Sequence, residues 1–319
     1  MAPMRLSIAG GGTDLPEFYQ GGPGRVIGVA IDRWVRVVVA ADRATARAVA
    51  GGDAVRYRVA HDGRGSDPYL RAVIEALGVG DRFHVAIGSS VTPGSGLGGS
   101  GAFLVALLDA VARFHGRSIS PTELAELAFT TERILLGRTV GKQDGWLAAL
   151  GGATELRITP DGRVAARPRT DVFDAMRALL DSSLLLFRTP GTRDAGRVLA
   201  ATRGVGNQDR ARALELIEDN ERAVLSRDVL RVGAVLRRHW REKVRRNPAA
   251  DHPVCQRLAA RANALGVLGF KLVGAGGGGH LLVAARPEDK PHVVANLGLA
   301  GLVPEKVRPI AAGLTRVDS

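Results

Sequence analysis

The sequence predicts an α+β protein in two lobes that join near residues 160–170. Strand-like runs punctuated by glycine and proline alternate with helical patterns in the first half. Long helical patterns dominate after about residue 170 and close on a strand, a glycine loop and a strand. No internal repeat or low-complexity linker interrupts the 319 residues, and 45% hydrophobic content is ample for a sizeable core.

The elements follow in order. LSIAG, RVIGVAIDRWVRVVVAAD and AVRYRVAHD read as strands. DPYLRAVIEALG has helical spacing and is opened by Asp67-Pro68. DRFHVAIGSSV reads as a strand. SGAFLVALLDAVARFHG is apolar nearly all round, which predicts a buried helix. PTELAELAFTTERILLG is a second helix, started by Ser120 and Pro121, and GWLAALGG a third. ATELRITPDGRVAARPR predicts a hairpin turning at Asp161-Gly162. SSLLLFRTPG is a buried strand, followed by helices over 194–202, 208–226, 228–246 and 252–264. VLGFKLVGAGGGGHLLVAARP supplies the closing strand, loop and strand.

Composition removes several function classes. No apolar run approaches the ~20 residues of a membrane span. MAPMRLSIAGGGTD has no long apolar segment of the secretory kind, so a cytoplasmic, membrane-free protein is expected. The one cysteine, Cys255, excludes an intramolecular disulfide and fits a reducing compartment as a buried, inert thiol. Net charge is +12, and only five of the 44 basic residues are lysines. The arginines are scattered, with RRHWREKVRR at 237–246 the densest cluster, and no nucleic-acid-binding pattern accompanies them. A mostly solvated surface is therefore expected, with attraction of phosphates by part of it the alternative, and no nucleic-acid partner. His84, His239 and His280 show no metal-ligand spacing. Trp34, Trp146 and Trp240 read as packing residues, with Trp146 close enough to Asp144 to line a pocket.

Three glycine clusters carry the chemistry. VTPGSGLGGSGA at 91–102 contains Gly94-x-Gly96-x-x-Gly99. A dinucleotide fold would need an acidic residue ending a second strand about 20 residues on, but that distance falls on Glu123 and Glu126, inside a helix pattern. A Walker loop would need a lysine where Ser100 stands. What remains is a glycine loop feeding a helix N-terminus, whose unpaired N–H groups and dipole favour polyphosphate. A plain strand–helix turn would seldom need so many glycines. The other clusters are GGGTDLPEFY at 10–19 and GAGGGGHL at 274–281. The latter is extravagant for a hairpin loop and suggests close approach to a ligand or to another glycine loop.

Over nearly its whole length the chain resembles the GHMP small-molecule kinases, whose three motifs appear in order. Ala2-Pro3-Met4-Arg5 through Gly10 to Thr13-Asp14 is similar to the first, Pro93 to Ser100 to the phosphate loop, and Lys271 to Gly279 to the third. GGGTDLPEFY and GKQDGWLAALGG at 141–152 are most similar to the D-glycero-D-manno-heptose 7-phosphate kinase branch, with the kinase part of fucokinases close to it. The resemblance implies a first lobe over 1–165, with a mixed sheet and helices, and a second over 166–319, with an antiparallel sheet and helices. The active site would lie between them.

The resemblance also implies roles. Pro93, Gly94, Ser95, Gly96, Leu97, Gly98, Gly99, Ser100 and Gly101 would cradle ATP. Ser100 and Glu132 would hold Mg2+, which needs few protein ligands. Asp144 would act on the acceptor hydroxyl as base or orienter. Arg5, and with it Lys142, would stabilise the transferred phosphoryl. Gly11, Gly12, Thr13 and Asp14 would meet the sugar, with Gly276, Gly277 and Gly278 beside it. An Asx-type turn before Pro16 is the competing reading of Thr13 and Asp14. Thr192 and Arg193 match a heptose-branch position at the substrate mouth, and Arg193 with Arg33 would clamp a remote phosphate. The family loop usually has a serine where Gly99 stands.

The expected activity is phosphorylation of the anomeric hydroxyl of a sugar phosphate, D-glycero-D-manno-heptose 7-phosphate, to the 1,7-bisphosphate. Alternatives are a fucokinase-like kinase of an unphosphorylated sugar or another small alcohol, and a non-catalytic nucleotide or sugar sensor. A homodimer is compatible with either.

Overall fold

A 17-residue strand, β2 (Gly24–Ala40), organises the first sheet. The computed structural model describes residues 1–49, 57–62, 67–190, 198–199 and 206–316. Along its length β2 pairs with β1 (Ala2–Ala9), β4 (His84–Ser89) and β5 (Ala153–Ile158). β3 (Tyr57–Asp62) and β6 (Val164–Pro168) extend the sheet at its two ends. Every described pairing is antiparallel, where a mixed sheet was expected. β2 and β3 run parallel to each other, as do β4 and β5, but an antiparallel strand separates each such pair in the sheet, so only antiparallel neighbours meet. A second antiparallel sheet orders β10 (Val303–Glu305), β7 (Leu184–Arg188), β9 (His280–Ala285) and β8 (Val267–Leu272).

Local signals fix the helix ends. α1 (Pro16–Tyr19) and α2 (Arg43–Val49) are short. Asp67 caps α3 (Pro68–Leu77) by accepting from the Tyr69 and Leu70 amides, and Gly78 closes it at φ 59°. α4 (Gly99–Phe114) buries most of its faces, as its composition predicts. Ser120 and Glu123 form a capping box on α5 (Pro121–Thr130). The pattern that reads as one long helix then becomes a π-helical turn over Thr131–Leu135. α6 (Gln143–Leu150) follows.

α7 (Thr170–Ser182) was not anticipated, although its buried Val172, Ala175, Met176 and Leu179 have helical spacing. α2 and α11 (Lys290–Leu299) were likewise not anticipated. The remaining helices are α8 (Asn207–Ser226), α9 (Val229–Arg246) and α10 (Pro253–Arg261). Apart from Val198 and Leu199, the helix expected over 194–202 lies outside the described residues, as do Thr192 and Arg193.

Bare backbone sets the closest approaches. A Cβ on Gly101 of α4 would stand 2.6 Å from the Asp144 Cβ and 2.7 Å from the Gly145 amide of α6. A Cβ on Gly233 of α9 would stand 2.6 Å from the Leu268 Cβ of β8. One on Gly279 would stand 2.4 Å from the Ser95 carbonyl oxygen. The third glycine loop therefore packs on the phosphate loop, the second of the two explanations its composition offered.

These distances separate two neighbouring glycines. Gly101→Ala should push α4 from α6 and destabilise the fold by about 2 kcal/mol, within the range for overpacking. A Cβ on Gly99 meets only the Met4 Cε within 4 Å, at 3.7 Å, and the residue is helical. Gly99→Ser should therefore change stability by no more than about 0.5 kcal/mol. Denaturant titration of both variants checks the contrast, and equal losses would contradict it.

Candidate active site

A cavity of about 810 Å3 lies against the phosphate loop and receives residues from both sheets. Its deepest electrostatic feature starts in β1. Arg5 is buried, and its Nε and Nη2 donate to the Asp144 Oδ1 at 2.8 and 2.6 Å. Its Nη1 donates to the Gly96 carbonyl at 2.7 Å, and its amide to the Leu97 carbonyl at 2.9 Å. One side chain thus fastens the phosphate loop to the first turn of α6. Asp144 does not cap that helix: it sits inside the first turn, and Lys142 occupies the cap position.

The cap function is supplied by Asp14. Its carboxylate accepts from the Gln143 amide at 3.0 Å and from the Gly12 amide at 2.9 Å. Burial raises the Asp14 pKa, with the Asp144 charge adding to it, against the lowering effect of these amides. Asp14, Gly11 and Gly12 all line the cavity. Thr13 does not. Its hydroxyl donates to the Arg25 carbonyl at 2.7 Å and accepts from the Arg25 amide, so the expectation that it meets the sugar is corrected.

The loop itself presents Pro93, Gly94, Ser95, Gly96, Gly98, Gly99 and Ser100 to the cavity. Leu97 and Gly101, expected among the ligand contacts, serve packing instead. Leu97 is fully buried in the core, and Gly101 is pressed against α6. His280 braces the loop from the second sheet, with its Nδ1 2.7 Å from the Ser95 carbonyl oxygen.

Glu132 stands in the π-helical turn, a local widening that recurs at functional sites. Burial first, then the Asp144 charge, push its carboxyl up to about 7, while a hydrogen bond with Ser100 opposes the rise. Ser100 and Glu132 thus set two hard oxygen donors beside the Asp144 carboxylate, with the Arg138 charge acting on Glu132 and Arg5 paired with Asp144. That donor set fits Mg2+, which retains waters and phosphate oxygens. Among the described residues no cluster of three or more His, Cys, Asp or Glu could cage a metal without such help.

Other expectations are corrected. Lys142 is buried on the far side of α6, paired with Glu126 and 4.7 Å from the Phe129 ring centre, and does not reach the cavity. Trp146 is also turned away, with its Nε1 donating to Glu126 at 2.8 Å. Arg33 donates to the Lys306 carbonyl and pairs with Asp32, so it forms no clamp in the cavity. Gly276, Gly277 and Gly278 do not line the cavity. A Cβ on Gly276 would strike Ala250, and the Gly277 amide donates to the Ala250 carbonyl. Gly274 and Ala275 of the same loop do line it.

The cavity also gathers residues to which no site role was assigned. Lys271 is buried and donates to the Ser7 and Ile8 carbonyls at 2.9 and 2.8 Å. Burial, with the Arg5 charge, lowers its pKa to about 7. The Gln143 Oε1 is buried without a partner at the cavity wall. His239, Lys243 and Arg246 line the cavity from α9. Their spacing within RRHWREKVRR, four residues and then three, places them on one helical face, a signal present in the sequence. Val35, Tyr69, Ile87, Val91 and Phe103 also line the cavity and give it an apolar wall, with Arg138 over the Tyr69 ring at 4.9 Å.

Residues 68–152 match the family model of the GHMP kinases N terminal domain. The chain is 24% identical over 311 residues to the D-glycero-alpha-D-manno-heptose 7-phosphate kinase of Campylobacter jejuni, covering 92% of this chain and 91% of that one. The GHMP kinases are the family to which this chain belongs. It is 30% identical over 244 residues to the galactokinase of Mycobacterium tuberculosis, 66% of each chain. The crystal structure of a D-glycero-D-manno-heptose 1-phosphate kinase from Bacteroides thetaiotaomicron shares the fold, with a TM-score of 0.70 and 19% identity over 98% of this chain and 96% of that one. The protein is thus an ATP-dependent GHMP kinase.

The raised Glu132 carboxyl makes a pH prediction for the metal-free kinase. Its folded pKa, about 7, lies above the ordinary value of 4.5. Its stabilising contribution is therefore complete below about pH 4.5 and is lost as pH rises through about 7. Glu132→Gln, measured in chelator, should flatten the fall in melting temperature between about pH 5 and pH 7. An unchanged slope would show that Glu132 does not titrate there.

Proposed function

We propose that this GHMP kinase transfers the γ-phosphoryl of ATP to the anomeric hydroxyl of a sugar phosphate, D-glycero-D-manno-heptose 7-phosphate, giving the 1,7-bisphosphate. The observation that carries the reading is the Arg5–Asp144 pair, held against the phosphate loop in one cavity with Ser100 and Glu132. Similarity to the Campylobacter enzyme along 92% of this chain supports the heptose 7-phosphate assignment. The reading divides the kinase at 165/166, with the phosphate loop and Asp144 in the first lobe and the third glycine motif in the second.

In this reading the apolar wall around Tyr69 and Phe103 takes the adenine. Backbone amides at the start of α4 take the phosphates. Ser100 and Glu132 would hold Mg2+, which when bound neutralises phosphate charge. Asp144 accepts a hydrogen bond from the acceptor hydroxyl and aims its oxygen at the γ-phosphorus. As the new O–P bond forms, the bond to the ADP oxygen breaks and the hydroxyl proton passes toward the carboxylate. Arg5 acts through Asp144 as a positioning residue, because it fixes Oδ1 relative to the loop. Asp14 holds the start of α6, and Gln143 offers its unpaired Oε1 to a sugar hydroxyl.

A second reading, phosphorylation of an unphosphorylated sugar, is favoured by the 30% identity to galactokinase. The two share the chemistry and differ in the acceptor.

Asp144→Asn keeps the shape and removes the charge, so kcat should fall by roughly a hundredfold or more. ATP binding should persist, and excess chelator should stop turnover of the unaltered kinase. Coupled ADP-release assays and ATP titrations check both. Near-normal kcat in the variant would remove Asp144 from its role, and full activity in chelator would remove the metal.

A further inference from the structure

The inner face of α9 is a basic wall that the transfer chemistry above does not use. His239, Lys243 and Arg246 recur at helical spacing and all line the cavity. Lys271 faces them from β8, and close packing at Gly233 and Gly269 holds the helix on that strand. The charges of Lys271, Lys243 and Arg246 all bear on His239, so the four groups form one cluster. Lys243 donates to the Gly274 carbonyl, which ties α9 to the third glycine loop.

The cluster is short of negative charge. His239 is 9% exposed, and its Nδ1 is buried without a partner. Arg246 makes no hydrogen bond or ion pair among the described residues. The carboxylates whose charges favour it, Asp209 and Glu242, are both paired with Arg245. Lys271 spends two donors on backbone carbonyls, and an ammonium has three. Buried like charges repel, and a buried polar atom without a partner is costly. A multivalent anion with several acceptor oxygens relieves both. A phosphate monoester is such an anion, and arginine grips it in a bidentate way.

The ATP phosphates have their own cradle at the start of α4. The α9 wall is joined instead to the third glycine loop, through the bond from Lys243 to the Gly274 carbonyl. We propose that His239, Lys243, Arg246 and Lys271 form the subsite for a phosphate already carried by the acceptor sugar, making α9 the element that selects phosphorylated acceptors. This rests on the sugar-kinase reading and specifies its substrate class. It also relocates the phosphate clamp from Arg33, which is engaged elsewhere.

The test compares kcat/KM for D-glycero-D-manno-heptose 7-phosphate with that for the same heptose without phosphate, in the unaltered kinase and in Arg246→Gln. The preference for the phosphorylated sugar should fall by about tenfold to a hundredfold in the variant, as expected for losing a charged hydrogen-bonding partner. Arg246→Lys should recover part of it. A preference unchanged in Arg246→Gln would overturn the subsite, and so would a rise in the KM for ATP in place of a lost preference, because the anion would then belong to ATP. If the unaltered kinase uses both heptoses equally, the subsite is wrong while the sugar-kinase reading stands. Turnover of neither heptose would sink the heptose assignment and leave the kinase to another sugar. The subsite is then decided in the unaltered protein by the His239 ring resonances. These shift on addition of millimolar inorganic phosphate if the wall binds it, and an unmoved spectrum overturns the proposal.

Discussion

The Arg5 guanidinium is the tie on which the site depends. It joins three segments far apart in sequence: β1, the phosphate loop at Gly96 and the start of α6 at Asp144. A single planar donor group fixes the carboxylate relative to the loop. Phosphoryl transfer is governed by position and charge, so that fixity is the main thing a scaffold can supply. The other contacts reinforce it. Gly101 lets α4 and α6 touch at the level of Asp144, and Asp14 secures the first turn of α6 from the first glycine motif. Lys271 ties the second sheet to the carbonyls of β1 just beyond Arg5.

Much of this was legible in the sequence because glycine marks places where backbone must come close. The three glycine clusters, taken in order, pointed to a phosphate loop and to a second loop packed on it, and Gly279 against Ser95 is that packing. Helices with strong periodicity or caps, such as α3, α4 and α5, were also readable. The antiparallel order of the first sheet was not, because strand direction depends on where intervening helices return the chain. α7 was missed despite its spacing, since polar and apolar residues are nearly balanced along it and its signal lies in four buried positions.

Side-chain direction was the least readable property. Lys142 and Asp144 are two residues apart, which on a helix turns them to different faces. One pairs with Glu126 behind the site while the other meets Arg5. Thr13 and Asp14 divide similarly between the Arg25 backbone and the cavity wall. The arginine-rich cluster at 237–246 illustrates the converse. As composition it reads as surface, yet its four-then-three spacing turns His239, Lys243 and Arg246 inward together. The charge excess is thus partly organised. Arg25 and Arg169 are likewise consumed in ion pairs with Glu155 and Glu221.

On the proposed reading, the cavity transfers the γ-phosphoryl of ATP to the anomeric oxygen of a sugar phosphate. Phosphorus NMR of the products from ATP and D-glycero-D-manno-heptose 7-phosphate tests it most directly. The proposed reading predicts ADP and one new phosphate resonance coupled to the anomeric proton, with the original phosphate unchanged. A new phosphate on any other carbon, or ADP formed with free phosphate alone, would contradict it.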